Sequence, residues 1–429
     1  MIGYINIAML CLIIWALIKS FAGPERILSA LFLIGFSQIG SIYPQLGQIR
    51  FELITGVAGI LFVLISRKGR GALSPSENAI NKYFYFFVAV AVLSVPFSVD
   101  PGVSWFWVEY YFKRCWVLFF ICIVLIDTEK KLKNFIYIFL IGSFWLSLGS
   151  LINYFSGNNV IEVNGVLRVK GATGILANPN GLANTIVQSI PFFYFTYFYF
   201  QKKSIKLLIL SLGTVGIIGV FLSGSRGGFY GLISCMLFIV LFSKRKKRTF
   251  LFAVLILAVS LSFAGSNLID RYETILNPTN MGKSGDARIW GLRHGFSMLL
   301  KRPILGVGLG CFDIARQRWY GWRLWSHNHY GQLMGELGIL GIISWSLLIY
   351  HTVKCARRIR SEIKSSGLFE QYSFIYYLSM AIEVGIYTRL ALGMSTHSMH
   401  IFFWYLCAGL IVSCSNIWFR RPKNLRVYI

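Results

Sequence analysis

Long apolar runs recur along the whole chain and restrict what it can fold into. Each is about 18–20 residues long, enough for a helix to cross the ~30 Å hydrocarbon layer of a bilayer. Hydrophobic residues make up 56% of the sequence. We therefore predict an all-α polytopic membrane protein with 12–13 transmembrane helices, forming one integral membrane domain over residues 1–429. The first two runs are short, which leaves the number of spans and the side of the N-terminus open. The runs lie near residues 2–18, 25–42, 48–66, 82–98, 105–127, 134–155, 182–200, 206–222, 227–243, 249–265, 330–351, 370–391 and 398–418.

The distribution of Lys and Arg predicts which helix ends face the cytoplasm. The 42 basic residues outnumber the 16 acidic ones, and their clusters occupy short gaps separated by an even number of spans. This is the positive-inside pattern, so the net charge of +26 reflects topology and not nucleic-acid binding. The other gaps face outward, including a long periplasmic loop at 266–329 with nine basic and four acidic residues. A basic outer loop indicates an anionic ligand, although long loops also translocate regardless of charge.

A short polar break lies on the outer side between two apolar runs. Residues 223–228 read Ser-Gly-Ser-Arg-Gly-Gly, so Arg226 stands where a helix begins. A permanent charge at a membrane surface is costly unless an anion pairs with it, and a helix N-terminus favours the same ligand. Gly227 and Gly228 would let that ligand approach the backbone closely. The break predicts a diphosphate-binding site, with a charge that merely anchors the helix end as the alternative.

Two further groups on the outer side suit the chemistry of group transfer. Arg288 starts a helix predicted within the long loop, where its alternative role is a surface ion pair with Asp286. His327 precedes an apolar run, and an imidazole accepts a proton from a hydroxyl near neutral pH. Asn328 and His329 extend this polar cluster toward the membrane, and His329 is the weaker catalytic candidate because it lies on a different helical face.

A second set of basic residues either binds an anion or pairs internally: Arg168 with Lys170, Arg114 beside Glu109 and Lys113, and Arg389 with Glu383 and His397. The outer acidic residues are scattered, and no pair of cysteines has metal-ligand spacing. We therefore predict that neither a metal nor another cofactor takes part. The glycines at 306–310 follow no predicted strand and precede no Lys-Ser/Thr, which argues against a nucleotide fold.

Several motifs together resemble the O-antigen ligase and polymerase superfamily, membrane glycosyltransferases that assemble bacterial surface polysaccharides. The resemblance rests on Ser-Arg-Gly at 225–227, Arg288 with Trp290, Pro-x-x-Gly-x-Gly at 303–308, Ser-His-Asn at 326–328 and Asn-Pro-Asn at 178–180. It implies a GT-C-type architecture in the bacterial inner membrane. It also implies an inverting, metal-independent transferase whose active site faces the periplasm.

On this resemblance, the expected substrates are an undecaprenyl diphosphate-linked glycan as donor and lipid A–core as acceptor, with membrane lipids as the surroundings and no nucleic acid. Arg226 and Arg288 would hold the diphosphate and stabilise the charge that leaves. His327 would orient or deprotonate the attacking sugar hydroxyl.

Two other functions remain as alternatives. Polymerases join undecaprenyl diphosphate-linked repeat units and share most of these motifs, but the paired arginines, the basic loop and the His-Asn element favour a ligase. A transporter of a lipid-linked sugar is the rival outside the enzymes. It would show charged groups at mid-membrane positions and an inverted repeat, whereas the candidate residues cluster at one face of the membrane.

Overall fold

Helices make up most of the chain in the computed structural model. It describes residues 26–37, 78–163, 165–171, 174–262 and 282–420, with the isolated residues 11, 57, 60, 61, 73, 74 and 272. The predicted runs near 2–18 and 48–66 lie outside these ranges. Within them the helices are α1 Arg26–Ser37, α2 Ala79–Leu93, α3 Pro101–Tyr111, α4 Val117–Leu125, α5 Glu129–Ser156, α6 Pro179–Tyr199, α7 Lys203–Leu222, α8 Arg226–Phe242, α9 Lys246–Ser262, α10 Gly282–Lys301, α11 Phe312–Tyr320, α12 His329–Ser365, α13 Phe369–Gly393 and α14 Phe403–Phe419.

The composition of these helices fits a membrane protein. By length and apolar character, α5, α7 and α12 are able to cross a bilayer, and α2, α8 and α14 are shorter apolar helices. Their inner faces pack into a shared apolar core. Other large apolar side chains stay exposed, among them Leu207 at 65% and Leu251 at 66%. Apolar surface of this extent suits lipid and not water. The helical membrane class is confirmed, while the total of 12–13 spans and the GT-C arrangement remain predictions.

Two segments depart from the helical pattern predicted from sequence. The run at 105–127 is not one helix, because a π-helical segment, Phe112–Trp116, separates α3 from α4. A π turn takes in an extra residue and so changes the face that the following residues present. The outer segment before α6 forms an antiparallel hairpin of β1 (Val160–Val163) and β2 (Val166–Val169). Its many β-branched residues favour strand, a signal too short to have been noticed among apolar runs.

Helix α12 is interrupted near its outer end, and a turn of the chain fills the interruption. Gly338 has φ 62° and ψ −155°, outside the helical region. The first two carbonyls of the turn 303–308 accept hydrogen bonds from the two α12 amides that follow Gly338. The last two amides of the turn donate hydrogen bonds to α12 carbonyls that precede Gly338. All four distances are 2.8–3.2 Å. The Pro-x-x-Gly-x-Gly element thus pairs backbone groups that a broken helix would leave unsatisfied.

Helix α10 lies against the outer turns of α12 with the two backbones in direct contact. A Cβ atom built on Gly295 would lie 2.2 Å from a carbonyl oxygen of α12, and one built on Gly291 would lie 1.6 Å from the carbonyl oxygen of Ser326. Only glycine permits so close an approach. The helix predicted in the long loop is confirmed, but it begins at Gly282, so Arg288 lies in its second turn and not at its start. The contact with α12 sets the position of Arg288 relative to His327, just before α12.

Candidate active site

The start of α8 is built by hydrogen bonds within its own loop and with α6. Ser225 caps the helix: its Oγ accepts the Gly228 N–H at 3.0 Å and donates to Asn180 Oδ1 at 2.7 Å. Arg226 is the first helical residue and is half-buried. A Cβ on Gly228 would lie 2.4 Å from that of Ala183 on α6. The structure therefore gives Gly228 a packing role in place of the expected contact with a ligand, since its N–H already bonds the cap.

Arg288 reaches from α10 to the start of α8. Its Nε donates to the carbonyl oxygen of Ser395, in the turn after α13, at 3.2 Å. A Cβ on Gly227 would lie 3.6 Å from Arg288 Nη2 and 2.9 Å from Ser395 Oγ. The guanidinium thus lies over the first turn of α8, next to the residue that carries the other arginine. The alternative ion pair with Asp286 is not among those formed by the described residues.

The charges of Arg226, Arg288 and the N-terminus of α8 are all positive. Burial, and after it the positive charge of Arg226, lowers the pKa of Arg288 from its usual value. The guanidinium nonetheless stays charged at neutral pH, because an arginine titrates far above it. The N-terminus of α8 adds a partial positive charge to the two cations. An anion that carries more than one negative charge is the ligand best suited to relieve this repulsion.

His327 lies beside this cluster with its backbone in the left-handed region, at φ 48°. Few residues with a side chain adopt that region, and such strain is concentrated at functional sites. Its ring centroid is 5.3 Å from that of His397. Burial, and then the positive charges of Arg288 and Arg316, lowers the pKa of His327 from its usual value. The imidazole is therefore neutral at pH 7 and able to accept a proton.

The residues after His327 hold it in place. Asn328 caps α12 by accepting a backbone N–H at 3.0 Å, and its Nδ2 donates to the carbonyl oxygen of Met394 at 3.3 Å. His329 is fully buried, with Nδ1 3.0 Å from Ser398 Oγ. Both side chains tie the start of α12 to the turn after α13. His329 has the buried position expected of the weaker catalytic candidate.

Arg168 is paired internally and does not stand open to a ligand. It lies on β2 and is 7% exposed. Its Nε donates to the carbonyl oxygen of Ser223 at 3.1 Å, and its Nη2 donates to Asn180 Oδ1 at 3.0 Å. The hairpin is thereby joined to the loop before Arg226. Lys170 follows it, half-buried, and donates its backbone N–H to the Asn159 carbonyl at 2.9 Å.

Arg114 also takes the internal alternative. It is exposed on the π-helical segment, and its guanidinium lies over the Tyr110 ring at 5.1 Å. The acidic neighbour suggested for it, Glu109, pairs instead with Lys113. Arg114 thus stacks on a ring of the adjoining helix α3.

The partner suggested for Arg389 is wrong in one respect. Glu383 is six residues earlier on α13, too far along the helix to meet it, and pairs with Arg357 at 2.6 Å and with Arg360. Arg389 is 1% exposed, and its Nε and Nη2 have no hydrogen-bond partner among the described residues. Its association with His397 holds, because burial and then the charges of His400, His327 and Arg389 lower the pKa of His397.

An apolar groove of about 650 Å³ runs between α12 and α13. One end lies at His329 and Tyr330, close to the candidate catalytic histidine, and the other at Lys354 and Arg357. Its walls between these ends are mostly apolar. A long apolar groove with polar groups at its ends suits a lipid chain better than a compact hydrophilic ligand. Sequence reasoning missed it because most of its lining comes from α12, and only the packing of α13 against that helix makes the groove.

Sequence reasoning also missed two residues close to the site. Ser395 accepts the Arg288 hydrogen bond through its backbone, a role that no side-chain pattern signals. Arg316 on α11 is fully buried, and its charge helps to lower the pKa of His327. Nothing in the sequence separates it from Arg318, two residues away and exposed, because only the fold decides which of the two is covered.

No group of three or more His, Cys, Asp or Glu side chains able to hold a metal occurs in the described part of the chain. The arginines and the helix N-terminus supply positive charge at the place where a metal would otherwise do so. Metal independence remains a prediction that a chelator test can decide.

Comparison with known proteins gives one family. Residues 207–346 match the family model described as O-antigen ligase. This segment of the chain is similar to the O-antigen ligase family. The matched segment runs from α7 into α12 and includes Arg226, Arg288 and His327. The search of curated proteins gives no match. Members of that family are glycosyltransferase-like membrane enzymes that use lipid-linked glycans, and the similarity supports a bacterial membrane protein of this ligase or polymerase type.

Proposed function

We propose that this protein is an O-antigen ligase of the inner membrane. It moves a glycan from undecaprenyl diphosphate to a sugar hydroxyl of lipid A–core at the periplasmic face. The observation that carries the proposal is the position of the Arg288 guanidinium, 3.6 Å from a Cβ built on Gly227, beside Arg226 at the N-terminus of α8. A diphosphate is the leaving group whose charge such a cluster would stabilise.

Each residue then has a separate task in a single displacement. The acceptor hydroxyl attacks the anomeric carbon on the face opposite the diphosphate, which inverts the configuration. The bond from that carbon to the diphosphate oxygen breaks, and its electron pair stays on the diphosphate, held by Arg226 and Arg288. The hydroxyl proton passes to His327, which is neutral because its pKa is lowered. No step calls for a metal.

The groove between α12 and α13 supports a donor with a long hydrocarbon tail. One end of it lies at His329 and Tyr330, directly after His327 and Asn328 in the chain, and its apolar walls continue away from that end. Burial of a prenyl chain there would contribute binding energy away from the reacting atoms. This arrangement favours a lipid-linked donor over a soluble nucleotide sugar.

Ligase and polymerase are distinguished by the glycans of a deletion strain. For a ligase, we expect long glycan to remain on undecaprenyl diphosphate while lipid A–core stays bare. Single repeat units attached to core would instead show a polymerase and overturn the acceptor that we propose. Complementation with the wild-type gene has to restore the normal pattern of glycans.

Site variants separate an enzyme from a transporter. We expect Arg226→Ala, Arg288→Gln and His327→Ala to abolish or strongly reduce glycan transfer while the flipping of the carrier lipid continues. Arg293→Gln is the matched control for Arg288, because Arg293 is exposed on the same helix and lies over the Trp290 ring. Loss of flipping itself in the site variants would favour a transporter.

Cysteine labelling tests on which side of the membrane the site lies. The test uses Arg293→Cys and Lys247→Cys, both at exposed positions, with the exposed Cys11 replaced by serine. In intact spheroplasts, we expect an impermeant maleimide to label position 293 and to reach position 247 only after permeabilisation. The opposite pattern would place the site in the cytoplasm and end the proposal.

A further inference from the structure

Arg316, on α11, is buried with part of its guanidinium unsatisfied. Its side chain is 0% exposed, and neither Nε nor Nη2 has a hydrogen-bond partner among the described residues. Its remaining hydrogen bond, from Nη1 to the carbonyl oxygen of Leu324, is long at 3.5 Å. A buried charge left in this state is costly, so the site calls for an acceptor that the described residues do not supply.

The two unsatisfied nitrogens are those on one edge of the guanidinium. Nε–H and one Nη2–H point in the same direction and form the fork that binds two oxygens of a phosphate or carboxylate at once. The flat face of the same group lies over the Trp322 ring, with Cζ 3.6 Å from the ring centroid. Stacking holds the plane of the guanidinium and leaves the hydrogen-bonding capacity of its buried edge unused.

The nearby carboxylate is already engaged. Asp313, one turn earlier on α11, pairs with Arg323 at 2.7 Å. Arg316 is not a member of any ion pair that the described residues form. The oxyanion that the fork would bind therefore has to come from outside this part of the chain.

The residues that enclose Arg316 lead directly into the candidate active site. Trp322 and Leu324 belong to the short stretch between the end of α11 and His327. The charge of Arg316 is also close enough to act on the His327 ring. An anion held by the fork would thus lie beside the group that receives the acceptor proton.

We propose that Arg316 binds a phosphate group of the substrate through its Nε–Nη2 edge, at a subsite beside His327 and apart from the Arg226–Arg288 pair. This inference rests on the proposed function. The phosphate has two possible sources, the second phosphate of the donor diphosphate or a phosphate carried by the acceptor core, and the same chemistry recognises either one.

Binding and kinetics with purified, full-length protein test the assignment. The binding probes are undecaprenyl phosphate and undecaprenyl diphosphate, and the acceptor is lipid A–core before and after phosphatase treatment. The variants are Arg316→Lys, which keeps the charge and loses the fork, and Arg316→Gln. Trp322→Leu removes the stacking partner at a position that is 41% exposed, where folding is little affected. Arg318→Gln on the same helix is the control.

Two results support the proposal and identify the source. If the donor supplies the phosphate, Arg316→Lys weakens diphosphate binding by roughly 10- to 100-fold and leaves monophosphate binding unchanged. If the acceptor supplies it, donor binding is unchanged, the KM for intact acceptor rises by a similar factor, and phosphatase-treated acceptor no longer distinguishes variant from wild type. Trp322→Leu should shift the same parameter in the same direction, by a smaller factor.

Unchanged donor binding and acceptor KM in folded Arg316→Lys and Trp322→Leu would overturn the inference and leave Arg316 a structural brace for the stretch before His327. Failure of the proposed function looks different. If the proposed function is wrong, wild-type protein itself binds no undecaprenyl diphosphate and transfers no glycan. If only the role of Arg316 is wrong, the wild type and Arg318→Gln remain active.

Discussion

Gly295→Ala tests whether the close contact of α10 with α12 holds the candidate active site together. The new Cβ would lie 2.2 Å from the Gly331 carbonyl oxygen and 2.5 Å from Gly331 Cα, about 1.2 Å short of ordinary contact. Because the opposing atoms are backbone, they have no rotamer with which to turn aside. Helix α10 therefore has to move outward by about 1 Å, and Arg288 moves with it.

The size of that movement sets the expected effect. Overpacking of this kind costs about 1–3 kcal/mol of stability. A misplacement of about 1 Å can lower a catalytic rate by about 100-fold, because the transition state needs both Arg288 and His327 in position. We expect kcat for glycan transfer by Gly295→Ala to fall by about 10- to 100-fold, with a lower thermal midpoint in detergent.

A matched substitution separates this effect from a general intolerance of alanine. Gly149 lies within α5, and a Cβ built there meets no atom within 4 Å. Gly149→Ala should leave kcat unchanged and stabilise the helix by about 0.5–1 kcal/mol. Wild-type kcat in well-expressed Gly295→Ala would refute the argument that the helix contact aligns the site.

Three further predictions concern protons, ion pairs and metals. Burial and two arginines lower the pKa of His327. The fall of kcat/KM on the acid side of the pH profile should therefore have its midpoint below the usual pKa range of histidine. Arg316→Gln removes one of those cations, so a pH–rate profile should show this midpoint at higher pH, and an unmoved midpoint would contradict the assignment of His327 as the base. Glu383→Gln leaves the largely buried Arg360 without its carboxylate, and thermal unfolding should show a loss of about 3 kcal/mol, whereas wild-type unfolding would contradict a stabilising role for this ion pair. Excess EDTA should leave the transfer rate unchanged, whereas a loss reversed by Mg²⁺ would show that a metal takes part.

The helices were predictable because their physical signal is local. An apolar run of membrane-spanning length is visible in a short window of the sequence, and the helix start predicted at Arg226 is the first residue of α8, capped by Ser225. The break at Gly338 was not predictable in this way. It depends on a turn more than 30 residues earlier, whose backbone pairs with the two sides of the break.

The residues of the candidate site also differ in whether local sequence or tertiary contacts reveal their role. Arg226, Arg288 and His327 were selected because each is a polar group at a sequence position where polarity is costly, and the fold places Arg288 at the start of α8. Arg168 and Arg316 carry the same charge, but only tertiary contacts show that the first is satisfied by Ser223 and Asn180 while the fork of the second is not.

The turn at 303–308 is joined to α12 by four main-chain hydrogen bonds, and this restricts how the segment can evolve. Ile304 is 64% exposed, so many side chains would be accepted there. Inserting or deleting one residue would instead shift amides and carbonyls of the turn past their counterparts around Gly338 and disrupt these four hydrogen bonds together. Selection should therefore preserve the length of this segment more strictly than its chemistry.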